Sequence, residues 1–183
     1  MGADRLLTST GSVNKKAMND QNRTITILLA EDNYDDRIQV EKAFQEVDSA
    51  YDLFFVHDGK ELMQYLYRQG KFTEPTSAPR PNLILLDLNM PRMDGRQALA
   101  EIKTNVDLRS IPVVVLTNSH THADILRTYD LGGAGFIIKP QTFKGMLEVV
   151  KVLNEYWFEV VELASGEGVR NVKKDNFILS SSG

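Results

Sequence analysis

The chain has 183 residues, no cysteine and a formal net charge of −4. That length supports one domain with a sizeable core plus tails. The missing cysteine excludes disulfides, thiolate metal sites and cysteine nucleophiles, and the acidic balance argues against nucleic acid as the partner. No apolar stretch reaches membrane-spanning length, and Met1-Gly2-Ala3-Asp4-Arg5-Leu6 has neither an apolar signal core nor the Ser or Thr that myristoylation requires where Leu6 stands. A soluble cytoplasmic protein with no membrane partner is the expectation.

Residues 1–23 are polar and unpatterned and read as a flexible N-terminal arm. From residue 24 the pattern alternates five times. Residues 24–30 form a β-branched and aliphatic run. Residues 33–47 then carry Val40, Ala43, Phe44 and Val47 on one helical face, with Asn33 followed by Asp36 as the helix start. A second strand over 51–57 leads through Asp58-Gly59 into a helix with Leu62, Met63 and Leu66. A long loop follows, broken by Pro75, Pro79 and Pro81.

The third strand runs Pro81-Asn82-Leu83-Ile84-Leu85-Leu86-Asp87, an apolar run that stops on a carboxylate. A continuous run of this kind reads as a parallel strand covered on both faces. Met90-Pro91-Arg92-Met93-Asp94-Gly95 leads to a helix packing Ala98, Leu99 and Ile102. A fourth strand over 111–116, a helix over 119–131, a short strand over 135–138 and a last helix from 142 to about 163 complete the domain. Strands alternating with helices predict a parallel sheet with right-handed crossovers. The predicted architecture is a flavodoxin-like α/β three-layer sandwich of five parallel strands in the order 2-1-3-4-5. It spans residues 24–163 and is followed by a flexible tail over 164–183, where Gly, Ser, Lys and Asn dominate and Phe177-Ile178-Leu179 reads as part of a frayed end.

In that topology the polar strand ends converge. Glu31 and Asp32 follow strand one, Asp87 ends strand three, Thr117 strand four and Lys139 strand five. Ligands in open α/β sheets bind at these carboxyl ends, beside the switch in strand order. Three carboxylates so close would raise one another's pKa, whereas an oxygen-seeking divalent ion, Mg²⁺ first, keeps them ionised. Carboxylate, cation, ammonium and hydroxyl together suit a transferring phosphoryl group. An acidic pair after a strand is ordinarily a solvated turn, and a lysine before proline a surface residue. The conjunction of all four at one edge is what points to chemistry.

Leu29-Ala30-Glu31-Asp32-Asn33, Leu85-Leu86-Asp87-Leu88-Asn89-Met90-Pro91 with Asp94-Gly95, Val115-Leu116-Thr117 and Ile138-Lys139-Pro140 resemble the receiver domains of two-component response regulators, in order and spacing, over about residues 24–155. The resemblance implies that Asp87 accepts a phosphoryl group from a sensor histidine kinase. It implies that Asp32, Asp87 and the Asn89 backbone carbonyl ligate Mg²⁺, and that Glu31 acts through a bound water. Lys139 would pair with the phosphoryl oxygens, its bond to Pro140 would be cis, and Thr117 would move toward the aspartyl phosphate. Many receivers couple that threonine to a tyrosine three residues before the lysine. Phe136 stands there, so the Thr117 and Phe136 switch would run on packing without a phenolic hydroxyl.

The Pro-rich loop, Leu88-Asn89-Met90-Pro91, Thr117-Asn118-Ser119 and the ending Asn154-Glu155-Tyr156-Trp157-Phe158 resemble more narrowly the stand-alone response regulators of bacterial, particularly cyanobacterial, phytochromes. Tyr34, where proline is common, and Gly132-Gly133-Ala134-Gly135 depart from that pattern. The glycine run precedes a strand, fits no phosphate-loop template and reads as a turn. His57, His120 and His122 form no metal-ligand pattern. The last helix is apolar on several sides, which implies a homodimer with Tyr156, Trp157 and Phe158 among its anchors. The competing class is a Mg²⁺-dependent phosphatase or phosphotransferase with an aspartate nucleophile. Such enzymes place a second acid two residues on, and Asn89 cannot transfer the proton. The sequence therefore favours a single-domain phosphoacceptor switch, acting by protein contacts and not as an enzyme, over a hydrolase or a receiver that has lost phosphorylation.

Overall fold

The structure is a computed structural model and describes residues 25–47, 51–161 and 163. The arm, the tail and Phe177-Ile178-Leu179 lie outside the described residues. Ten regular elements alternate: β1 (Ile25–Ala30), α1 (Tyr34–Gln45), β2 (Tyr51–Val56), α2 (Gly59–Leu66), β3 (Leu83–Leu86), α3 (Gly95–Thr104), β4 (Val113–Thr117), α4 (His122–Asp130), β5 (Gly135–Ile138) and α5 (Phe143–Asn154). The strands form one parallel sheet in the order β2-β1-β3-β4-β5, as the alternation predicts.

The period-2 geometry of a strand divides the sheet's side chains between two cores. Leu28, Ala30, Ile84, Leu86 and Val113 pack with α2 and α3 residues such as Leu62, Met63, Leu99 and Ile102. Ile27, Leu29, Leu83, Leu85, Val114 and Leu116 pack with Val40 and Phe44 of α1 and Met146, Val150 and Leu153 of α5. Because helices cover both faces, β1, β3 and β4 are buried at every position, whereas the edge strand β2 is mostly half-buried. Among the described residues no helix is long and apolar enough to cross a membrane.

Several boundaries depart from the sequence expectation for local reasons. β4 starts at Val113, because the Ile111 amide instead closes a turn onto Leu108 O and Pro112 has no N–H to give. α4 starts at His122, with Thr121 as its cap accepting the Asp124 amide, so residues 119–121 remain a loop beside the site. The long loop contains a short 3-10 turn at Gly70–Phe72 and is pinned by buried Phe72, Ala78 and the Tyr65 hydroxyl, which donates to Pro79 O at 2.9 Å. α5 ends at Asn154 and widens into a π turn over Glu155–Val160, whose i to i+5 bond runs from the Val161 amide to Tyr156 O.

Candidate functional site

The sheet delivers the polar residues to one edge by the last bonds of its ladders. The Glu31 amide donates to Val56 O, the Asp87 amide to Ala30 O and the Lys139 amide to Thr117 O, at 3.0, 3.0 and 2.8 Å. Each residue therefore leaves a paired strand and enters the crevice with its backbone fixed. Gly95 seals the loop after Asp87: a Cβ there would meet Asp87 O at 2.1 Å, so only glycine lets α3 start this close. Gly59 is as constrained, with a Cβ falling 2.4 Å from Met93 O. Asp58, fully buried, accepts the Glu61 amide with one oxygen and pairs with Arg92 through the other, tying the β2–α2 and β3–α3 loops together.

Around Asp87 the two carboxylate oxygens have different partners. Oδ1 accepts the Thr117 hydroxyl at 2.6 Å and the Asn89 amide at 3.3 Å, and Oδ2 accepts Lys139 Nζ at 3.0 Å. Asp87, Thr117, Lys139 and Glu31 are all buried, with Asp87 the most exposed at 5%. Lys139 Nζ lies 2.5 Å from Glu31 Oε2 and 2.8 Å from Asp36 Oδ2 as well, so three carboxylates surround one ammonium. Burial alone would depress the lysine's pKa. The Glu31, Asp36 and Asp87 carboxylates overcome it and hold the ammonium well above its usual range.

Burial acts the other way on Glu31. Desolvation pushes its carboxyl up to about 7 against the Lys139 contact, with Asp87 adding repulsion. Its Oε1 accepts the Asn33 amide at 3.1 Å, whereas Oε2 has the ion-pair contact with Lys139 but no well-angled hydrogen bond. Glu31, Asp32 and Asp87 each place one oxygen within 4.8 Å of the others'. An under-satisfied buried carboxylate and an all-oxygen donor set both fit a hard divalent cation, which would supply the charge that burial withholds. Asp32 is exposed at this cluster, where solvent reaches it.

The sequence-predicted residues Glu31, Asp32, Asp87, Asn89, Thr117 and Lys139 thus converge. Phe136 lies further off, half-buried on β5 and paired in register with Val115. The cis bond expected at Lys139–Pro140 is corrected: the described residues contain no cis peptide, and the trans form is the one an X–Pro bond favours by about 0.5–1 kcal/mol. The three aromatic residues expected as dimer anchors separate. Tyr156 is 52% exposed, but Trp157 and Phe158 are half-buried against the core on the α1 and α5 side.

Sequence reasoning missed a layer of partners around this group. Asp36 and Asn118 bond each other at 3.3 Å across the crevice mouth, and Asp36 had read only as a helix-start signal. Beyond Thr117, whose Oγ1 lies 3.3 Å from the Ser119 amide, the Ser119 hydroxyl bonds Asp124, and Asp124 pairs with Arg96 Nε at 2.7 Å. The Ser119 hydroxyl, opposed by some desolvation and helped by the Arg96 guanidinium, holds Asp124 below the usual carboxylate range. This chain connects Thr117 through the β4–α4 loop to α3. Its pairs lie far apart in sequence and carry no local signal.

Comparison with known proteins agrees with this geometry. The family profile "Response regulator receiver domain" matches residues 27–151. "Response regulator Rcp1" of Synechocystis sp. is 41% identical over 137 residues, covering 75% of this chain and 91% of its own length. The crystal structure of the Mn²⁺-bound form of Rcp1 superposes with a TM-score of 0.71 at 40% identity, over 77% of this chain and 99% of the other. The phosphorylated cyanobacterial phytochrome response regulator RcpA gives 0.73 at 39% identity, over 78% and 99%.

Proposed function

The chain belongs to the response regulator receiver family, and from that premise we propose that it takes a phosphoryl group onto Asp87 from a sensor histidine kinase, here a phytochrome, in the cytoplasm. The observation that carries the assignment is the division of donors around Asp87, a hydroxyl on one oxygen and an ammonium on the other. In the transfer an Asp87 carboxylate oxygen forms the new P–O bond while the bond between phosphorus and the donor atom breaks, and the leaving group departs with its electron pair. Lys139 and Thr117 turn their protons from the carboxylate to the phosphoryl oxygens, meeting charge with groups already in place. Asp32, Asp87 and the Asn89 carbonyl would hold Mg²⁺, with Glu31 acting through water, and the bound ion would offset charge on the phosphoryl group.

Movement of Thr117 toward the phosphoryl group pulls on the Ser119 amide, and Phe136 follows by packing. The readout surface is the face of α4, β5 and α5, where Leu126, Tyr129, Ile138, Val152 and Tyr156 are more than half exposed. A second copy of the chain covers it in a symmetric homodimer. Residues 24–163 form the receiver, with an arm before it and a tail after it.

Incubation with acetyl phosphate tests the assignment. Acid-stable, alkali-labile phosphate on Asp87, dependent on Mg²⁺ and absent from Asp87→Asn, is the expected result. Equal labelling of Asp87→Asn, or catalytic turnover of an unrelated phosphomonoester, overturns it.

A further inference from the structure

Asp36 is a carboxylate of the crevice that the acceptor and metal roles leave unused. It sits in the first turn of α1, 29% exposed, and its Oδ2 receives both Lys139 Nζ at 2.8 Å and Asn118 Nδ2 at 3.3 Å. Glu31 and Asp87, the other two carboxylates on Lys139, also belong to the acidic cluster that suits a cation, and Asp36 does not. When a cation takes its share of Glu31 and Asp87, Asp36 therefore keeps its full hold on the lysine. Four carboxylates then face one ammonium and one dication, which leaves a single negative charge in excess at the mouth through which a donor enters.

We propose that Asp36 selects the phosphodonor by charge, disfavouring small free anionic donors relative to a phosphoryl group carried in by a docked protein. The inference rests on Asp87 being the acceptor. A free donor must bind through the anion itself, so the excess charge acts on its whole binding free energy. A phosphohistidine on a partner is brought in by contacts elsewhere on the surface, and those contacts offset the same repulsion. Asp36 thus acts through its field on the incoming donor and need not touch the reacting atoms, while Glu31 and Asp87 still hold Lys139.

The experiment measures initial rates of labelling of the full chain at saturating Mg²⁺ near neutral pH, with acetyl phosphate, a dianion, and phosphoramidate, a monoanion. Asp36→Asn keeps the shape and removes the charge. Because the energy scales with donor charge, the half-saturating concentration should fall about tenfold for acetyl phosphate and about threefold for phosphoramidate, with maximal rates little changed. Asp36→Glu should keep the wild-type ratio of the two donors. An unchanged donor ratio in Asp36→Asn, or a change confined to the maximal rates, overturns the proposal. Should Asp36→Asn melt before the assay temperature, the wild type decides the matter in rising salt: acetyl phosphate gains on phosphoramidate as the charge is screened, and a flat ratio overturns the proposal. A folded chain labelled by neither donor removes the acceptor assignment instead.

Discussion

The crevice and the β5 side of the molecule invert each other's chemistry. At the crevice, residues that prefer water are buried: Glu31 at 1%, Asp87 at 5% and Lys139 at 4% exposure. On α4, β5 and the end of α5, residues that prefer the core are exposed, with Leu126, Ile138, Val152 and Tyr156 all above half. Burying a charge costs several kcal/mol unless it is paired, and exposing apolar area forgoes about 25 cal/mol per Å². Stability would remove both arrangements. The crevice offsets part of its cost because Lys139 pairs with the carboxylates around it; the outer face has no such cover among the described residues, and the proposed dimer would supply it.

Removing that internal pairing has the largest expected effect. Lys139→Met leaves Glu31, Asp36 and Asp87 facing one another, and urea denaturation in chelator should show a loss of about 3–5 kcal/mol. Saturating Mg²⁺ should restore much of it. Next comes pH. Glu31 binds its proton more tightly folded than unfolded, so its contribution to stability is complete below its ordinary pKa of 4.5 and is lost as pH rises through about 7. In chelator the difference in stability between wild type and Glu31→Gln should shift by at most about 3 kcal/mol across that window, and Mg²⁺ should abolish the shift. Equal curves with and without Mg²⁺ would show that the cluster binds no cation.

Thr117→Val keeps the volume and removes the donor to Asp87 Oδ1. A loss of about 1–3 kcal/mol is expected by thermal melting, with labelling of Asp87 retained but slowed. The smallest change belongs to the other region. Tyr156→Glu should shift stability by no more than about 0.5 kcal/mol, yet convert a dimeric mass in light scattering to a monomeric one. Wild type that is monomeric with and without phosphorylation removes the dimer.

The same contrast explains what the sequence disclosed. The sheet was legible because β1, β3 and β4 are buried at every position and aliphatic at all but Thr26 and Thr117, and Asp87 stood out because a carboxylate ends such a run. Asp32, Thr117 and Lys139 were legible for the same reason, each closing a strand or standing one or two residues beyond the close. Asp36 was not, since an aspartate in a first helical turn already has a reason to be there. Arg96 and Asp124 are 28 residues apart, and nothing in either segment announces the other. The outer face was legible only as an excess of apolar residues on the last helix. Which of them turn inward depends on a π turn that no periodicity of 3.6 anticipates.

That π turn is equivalent to an α-helix with one surplus residue looped into it. Removing Tyr156 would return the segment to ordinary winding and shift Trp157 and Phe158 around the axis by a fraction of a turn. The end of α5 can therefore change how far its aromatic residues face the core through one deletion, with no residue replaced.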